Sequence, residues 1–370
     1  MTVDADSAPA AGRGGAVRAL PAGPIGFVLL GAGAGAAAHA EALTTLPGAR
    51  LVAVVDPDLA RARRLAGSHG ADAADAPEAA LARDDVHAAC VVAPNHAHAA
   101  LAGLAAAHGV AVLVEKPVGR DADEARQIVA RCDAAGVPMG VVLQNRFAPE
   151  ALALRATIRT GGLGQLVGAV VLVRDHRDAG YFAAGPWRGQ RERAGGGALR
   201  IQAIHMVDLL EWLVGPVGSV TAAMATRRHA VEVEDVLSAS LELADGGPVS
   251  LFATTAAPVE SPTRIEIFGT EGWAVLLEAR AAIRVWHGRP GPEALAAVAA
   301  LDAEMAARLD RPWPDGTTPE LHRALLAAFV ASLRAGRAPL PGAPEAVRIQ
   351  RLLDGIYAAA RTGARTVIAG

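Results

Sequence analysis

In the first half of the chain, apolar residues come in short unbroken runs. Ile25–Gly31 (IGFVLLG), Leu51–Val55, Val86–Ala93, Val110–Val114 and Pro138–Gln144 contain few polar residues. Runs of that length without alternation are expected of strands covered on both faces, as in a parallel sheet. The stretches between them read as helices: an alanine-rich segment through His39 and Leu43, Asp58–Leu65, a weaker Pro77–Arg83, a segment that Asn95 can cap through His108, and Asp121–Ala135, which Asp121 or Asp123 can start and Gly136 ends. Strands and helices alternating at this length specify a doubly wound parallel sheet. The handedness of parallel crossovers makes it Rossmann-like.

From Phe147 the pattern changes. A helix through Thr160 ends at Gly161-Gly162, a strand covers Leu166–Val173, and a polar loop, Arg174–Arg193, carries Tyr181, Phe182, Trp187 and Arg188. A helical segment, Ala198–Val214, follows Gly195-Gly196-Gly197. Strands at Val217–Thr226, Asp235–Leu243, Pro248–Thr255, Arg264–Phe268, Trp273–Leu277 and Ala281–Trp286 are joined by short connections such as Asp245-Gly246-Gly247, which predicts an antiparallel meander. Helices close the chain at Glu293–Leu309, Pro319–Gly336 and Pro344–Thr362. The expected fold is an α/β Rossmann-like doubly wound parallel sheet followed by an α+β domain with a large open, mainly antiparallel sheet. Its divisions are a disordered tail over 1–23, a dinucleotide-binding domain over 24–146, and a substrate-binding and oligomerisation domain over 147–370. Alternation such as Val236–Leu241 gives the open sheet an exposed face suited to a homodimer or homotetramer.

Bulk properties narrow the class. A chain of 370 residues is too long for one typical core. No run of about 18 strongly apolar residues is free of charge, so no transmembrane helix is expected. A net charge of −3 gives no general attraction to nucleic acid or anionic membranes. Asp4, Asp6, Arg13 and Arg18 interrupt any apolar core of a secretory signal. Two cysteines, Cys90 and Cys132, make neither a disulfide framework nor a metal cluster, so no metal is expected and the location reads as cytoplasmic.

The candidate chemistry sits at the strand ends. After the first strand comes Gly31-Ala-Gly33-Ala-Gly35-Ala36, a G-x-G-x-x-A turn that permits a tight bend, backbone approach of a pyrophosphate, and close helix packing. The second strand ends in Asp56, 25 residues after Gly31, near the spacing of an acid that holds ribose hydroxyls. Its charge favours NAD over NADP, while Arg61, Arg63 and Arg64 keep NADP open; Asp56 could instead cap the next helix. Val110–Val114 runs into Glu115-Lys116-Pro117, placing a cation at the carboxyl end of a parallel strand, where ligands bind in such sheets. Lys116 is therefore expected at the junction of a cofactor site and a substrate site; the alternative is a surface lysine closing a strand.

Gly31-x-Gly33-x-x-Ala36-x-x-His39, Asp56, Pro94-Asn95-x-x-His98 and Glu115-Lys116-Pro117, in that order over about 90 residues, resemble the glucose–fructose oxidoreductase, inositol dehydrogenase and rhizopine-catabolism (GFO/IDH/MocA) family. The second half adds Trp187-Arg188-Gly189, Gly195-Gly196-Gly197-x-Leu199, Gln202-Ala203-Ile204-His205-x-x-Asp208, Val233-Glu234-Asp235 and Gly269-Thr270-Glu271-Gly272. The resemblance implies a bound nicotinamide dinucleotide touched by Gly31, Gly33, Ala34, Gly35, Asp56, Ala93, Pro94, Asn95, His98, Glu115, Lys116, Gln144, Trp187 and Arg188. It implies a cis bond before Pro117 and oligomers formed through the open sheet. Lys116 would touch both nicotinamide ribose and substrate, with His205 as the base and Arg146, Tyr181, Gln202 and Asp208 as further contacts to a polyhydroxylated substrate. Lys116 could instead carry the proton itself. His98 and His205 could each be ordinary helix-face residues. One departure stands out: many relatives carry Asp or Asn four residues before the histidine, and this chain has Ile201.

The expected function is NAD(P)-dependent hydride transfer between a nicotinamide cofactor and a sugar, cyclitol or related polyol, among them glycosides and nucleotide sugars. The alternatives are a redox-neutral NAD-dependent enzyme that cleaves glycosides by transient oxidation, and a non-catalytic dinucleotide-binding regulator.

Overall fold

A computed structural model of the chain describes residues 19–277, 284–287 and 319–368. The expected helix at Glu293–Leu309 lies outside the described residues, as do residues 1–18 of the expected tail. The chain divides into two compact units, 1–142 with 319–347, and 143–318 with 348–370.

The first unit holds six strands: β1 (Ile25–Leu30), β2 (Ala49–Val55), β3 (Asp72–Ala74), β4 (Ala88–Val91), β5 (Ala111–Val114) and β6 (Met139–Val141). They pair in the order β3-β2-β1-β4-β5-β6, all parallel. Every residue of β1, β4, β5 and β6 is buried. That explains why these runs show no alternation: both faces are covered. The crossovers include helices α1 (Ala36–Thr45), α2 (Leu59–Ser68), α3 (Pro77–Leu81), α4 (His98–Ala107) and α5 (Ala122–Ala134). Asp121 caps α5 by accepting the Glu124 N–H at 2.8 Å. Asn95 does not cap α4: it opens a 3₁₀ turn, Asn95–Ala97, and the helix begins only at His98. β6 likewise ends at Val141, and Gln144–Phe147 is a 3₁₀ turn where a strand was expected to close.

The helix at Pro319–Arg334 was expected with the second half, yet it belongs to the first unit and packs on α1. Phe329 explains the docking. Its ring lies against Phe27 of β1 and fills the space over Gly140, where an added Cβ would sit 2.9 Å from it.

The second unit is built on an eight-stranded sheet. Its strands are β7 (Leu166–His176), β8 (Val217–Ala225), β9 (Val236–Leu243), β10 (Pro248–Thr254), β11 (Ala256–Gly269), β12 (Gly272–Leu277), β13 (Arg284–His287) and β14 (Thr366–Val367), in the order β13-β12-β11-β7-β10-β9-β8-β14. All pairs are antiparallel except β7 with β10. The sheet is therefore not the simple meander expected, because β7 inserts between β10 and β11. One face packs on helices Pro149–Arg159, Ile204–Val214 and residues 349–359 of Ala343–Thr362. The opposite face carries Val170, Phe252, Ser238, Ser240 and Ser250, partly to fully exposed, and is thus more polar than a purely apolar interface.

Candidate active site

In the first unit, the turn after β1 has the properties a pyrophosphate needs. Gly31 adopts a φ of +116°, and a Cβ there would sit 2.1 Å from the Val92 carbonyl oxygen. A Cβ on Gly33 would meet nothing within 4 Å, so its backbone is open to a ligand. Ala36 is fully buried, no side chain caps α1, and its first N–H groups point toward the turn. The residues therefore fit a dinucleotide, with Gly31, Gly33, Ala34 and Gly35 forming the cradle.

Asp56 is buried and ties this turn in place. One of its oxygens accepts the Ala32 N–H at 2.9 Å and the other the Asp58 N–H at 2.9 Å. The helix-capping alternative falls to Asp58, which accepts the Arg61 N–H at 3.1 Å.

Lys116 follows β5 and is half-buried. Its backbone is held from both sides. The Glu115 carboxylate folds back to accept the Lys116 N–H at 2.9 Å, and the Pro117 carbonyl lies 2.9 Å from Nδ1 of the buried His98. His98 Nε2 is 2.8 Å from the Ala93 carbonyl, so this ring links the end of β4 to the Glu-Lys-Pro segment and is more than a helix-face residue. Burial lowers the His98 pKa, against the pull of the two carbonyl oxygens. The Lys116–Pro117 bond is cis, as the resemblance implied.

Glu115 has a second set of partners. His39 of α1 donates from Nε2 at 2.8 Å, and Nε2 of His322, on Pro319–Arg334, lies 3.8 Å away. Burial alone would raise the Glu115 pKa, but His322 and His39 outweigh it and hold the carboxyl well below the ordinary range. Burial pushes His39 down against the pull of Glu115. Both directions describe one state, a neutral imidazole donating to an ionised carboxylate.

In the second unit, the expected substrate residues fall into two groups. Arg146 and Asp208 form a buried two-pronged pair, with nitrogen–oxygen distances of 2.8 and 2.5 Å. Each is committed to the other, so the pair acts as a brace instead of as open contacts. Tyr181 and Gln202 also meet, Gln202 Nε2 donating to the Tyr181 hydroxyl at 2.9 Å. Arg188, expected at the cofactor, lies over Tyr181 with 4.6 Å to the ring centroid and beside Trp187. Around them the expected loop is ordered into a helix at Ala179–Ala184, a 3₁₀ turn at Pro186–Gly189 and a helical turn at Arg191–Ala194. Ala198–Ala203 is a π-helical turn, and the regular helix begins at Ile204, one residue before His205. A π turn ahead of a candidate base is a common mark of functional sites. His205 and Ile201 are both half-buried.

Residues 25–143 match the family described as "Oxidoreductase family, NAD-binding Rossmann fold", and residues 151–275 match "GFO/IDH/MocA C-terminal domain". Inositol 2-dehydrogenase of Rhizobium meliloti (strain 1021) is 31% identical over 66% of this chain and 73% of its own. The chain belongs to the GFO/IDH/MocA oxidoreductase family. D-apiose dehydrogenase of Paraburkholderia graminis is 27% identical over 92% of this chain and 88% of its own. The solved structure of the WlbA dehydrogenase from Bordetella pertussis, in complex with NADH and UDP-GlcNAcA, superposes with a TM-score of 0.82 at 28% identity, over 95% of this chain and all of that one.

Some features of this GFO/IDH/MocA oxidoreductase escaped the motif reading. His322 sits on an amphipathic helix with no motif around it. Glu234 belongs to the Val233-Glu234-Asp235 motif, which gives it no role; it accepts the N–H groups of Gly197 and Leu199 and the Tyr357 hydroxyl, at 2.9, 3.0 and 2.8 Å. Its neighbours explain the glycine triplet: a Cβ on Gly196 would strike the Tyr357 hydroxyl and one on Gly197 the Glu234 carbonyl. A further signal lay in the counts. Of the 35 Lys and Arg residues, Lys116 is the single lysine.

Proposed function

We propose that this enzyme oxidises a secondary alcohol of a sugar, cyclitol or related polyol with NAD, and that Lys116 and His205 carry the proton and charge chemistry. The sole lysine is the observation that carries the reading. Arginine serves at every other cationic position, yet it is a broad fork that does not give up its proton, whereas lysine is a compact charge that can. A lysine kept only at the carboxyl end of β5 has a task arginine cannot do.

When bound, the nicotinamide supplies the hydride acceptor. Gly31, Gly33, Ala34 and Gly35 would hold the pyrophosphate, and Asp56 the adenosine ribose. Ala93, Pro94, Asn95, His98, Glu115, Gln144, Trp187 and Arg188 are the remaining proposed cofactor residues, several of them acting through the backbone they fix. Lys116 stabilises negative charge developing on the substrate oxygen, and His205 accepts the hydroxyl proton. Tyr181 and Gln202 offer hydroxyl and amide groups to a polyol, and the Arg146–Asp208 pair braces the helix that carries His205. The dehydrogenase names of the relatives support the substrate class. A homodimer or homotetramer formed through the open sheet is part of the same proposal, supported by the exposed Val170 and Phe252.

A panel of polyols and sugars with NAD, followed by absorbance of the reduced nicotinamide, tests the reading. Reduction by at least one of them is expected. Binding of NADH with no reduction by any would favour a regulator, an outcome that Ile201 at the usual acid position makes worth measuring. Product without net reduction would favour the redox-neutral enzyme. Asp56→Ser should weaken NAD and relax discrimination against NADP; an unchanged preference would leave Asp56 with only its role in holding the turn.

A further inference from the structure

Glu115, His39 and His322 come from three distant parts of the first unit and converge on the backbone of the only lysine. His39 is fully buried and His322 is 1% exposed. Their rings meet edge to face, with centroids 4.7 Å apart and planes at 74°. His39 Nε2 holds one Glu115 oxygen at 2.8 Å, while the other oxygen takes the Lys116 N–H at 2.9 Å. At 3.8 Å, His322 Nε2 is beyond a direct hydrogen bond to the same oxygen as His39. It favours the ionised carboxylate as a second polar imidazole and packs edge to face on His39. A half-buried carboxylate keeps its charge more readily when polar partners surround it, as they do here.

We propose that His322 and His39 are positioning residues for Lys116: the paired imidazoles fix the Glu115 carboxylate, which fixes the lysine backbone. The helix Pro319–Arg334 thereby becomes part of the catalytic apparatus without touching substrate. The proposal rests on the role given to Lys116 above.

The same three groups have ligand atoms within 4.8 Å of one another, a spacing that could admit a divalent ion. Two features favour the clamp. A metal-bound histidine normally donates its second ring N–H to an acceptor, and His39 Nδ1 is buried without one. One Glu115 oxygen is also already committed to a backbone N–H.

Lys116 can be followed directly, because it carries the only side-chain amine. Reductive ¹³C-methylation gives a Lys116 methyl resonance, with Lys116→Met as the blank, and this readout needs no substrate. His322→Phe keeps a ring but removes the polar edge, His322→Gln returns an N–H donor at similar reach, and His322→Asn leaves it short. His322→Phe and His322→Asn are expected to move the Lys116 resonance. With the polyol turned over fastest in the panel, they should lower kcat about tenfold or more while KM changes less than about threefold. His322→Gln should restore both readouts, and Zn²⁺ or EDTA should leave the melting temperature unchanged.

A folded His322→Phe with wild-type kcat and an unmoved resonance overturns the proposal. Should that variant not fold, wild-type values in His322→Asn overturn it equally. A melting temperature raised by Zn²⁺ would replace the clamp with a metal site. If no polyol is turned over, the functional reading fails, and the Lys116 resonance still decides the clamp.

Discussion

Glu115 in the first unit is half-buried and Glu234 in the second is buried, and both accept backbone N–H groups where the chain turns. Their remaining partners differ. Glu115 meets the imidazoles of His39 and His322, while Glu234 meets the neutral hydroxyl of Tyr357. Burial raises the pKa of each. At Glu115 the imidazoles reverse that push and hold the carboxyl well below the ordinary range, whereas at Glu234 the N–H groups and the hydroxyl do not, and the pKa stays raised. A brace for a glycine turn needs only acceptors. A carboxylate kept ionised beside the one lysine is an electrostatic element, and its cost is justified by chemistry nearby.

A third acid, the buried Asp208, widens the comparison because it is paired with a guanidinium. Asp208→Ala removes the carboxylate partner of the buried Arg146 and should cost about 3–5 kcal/mol in chemical denaturation. A loss under about 1 kcal/mol would show that water reaches the arginine and that the pair is not a brace.

Glu115→Gln comes next in size. Gln cannot accept both the His39 and Lys116 N–H groups as well as a carboxylate does, so a loss of about 1–3 kcal/mol is expected at pH 7. The sign with pH follows from the lowered pKa. The stability from Glu115 is fully present above the ordinary carboxyl value of 4.5 and is lost as pH falls through the folded value, so the gap between wild type and variant should narrow in acid.

Glu234→Gln should have the smallest effect, about 1 kcal/mol at pH 7, because removing a buried charge offsets the one acceptor that the amide loses. Its pH trend runs the other way. The contribution of Glu234 is complete below 4.5 and is lost as pH rises through its raised folded value, so the variant should gain on wild type with rising pH. Equal losses and parallel pH curves for the two variants would erase the distinction between them.

How much of this could be read from the sequence depends on how local each signal is. The unbroken runs of β1, β4 and β5, the G-x-G-x-x-A turn, Asp56 and Glu115-Lys116-Pro117 are all set by near neighbours, and the first sheet formed as expected. The place of β7 between β10 and β11 was hidden, because parallel pairing with β10 leaves no turn to read. The return of Pro319–Arg334 to α1 was hidden for the same reason. Phe329 and His322 look like any core face until Phe27, Gly140, His39 and Glu115 are seen beneath them. Arg146 and Asp208 were legible as polar residues of interest. That they satisfy each other depends on a contact 62 residues long, which no motif encodes. Asn95 misled because a 3₁₀ turn uses the same residue types as a helix cap.

The measurement closest to the central claim is Lys116→Arg, assayed for NADH binding by fluorescence and for polyol oxidation in the same preparation. Arginine already fills every other cationic position, so a role of charge alone should survive the exchange. The prediction is retained NADH binding with kcat/KM lowered about 10²-fold or more. Oxidation within about threefold of wild type would contradict the assignment of proton and charge chemistry to Lys116.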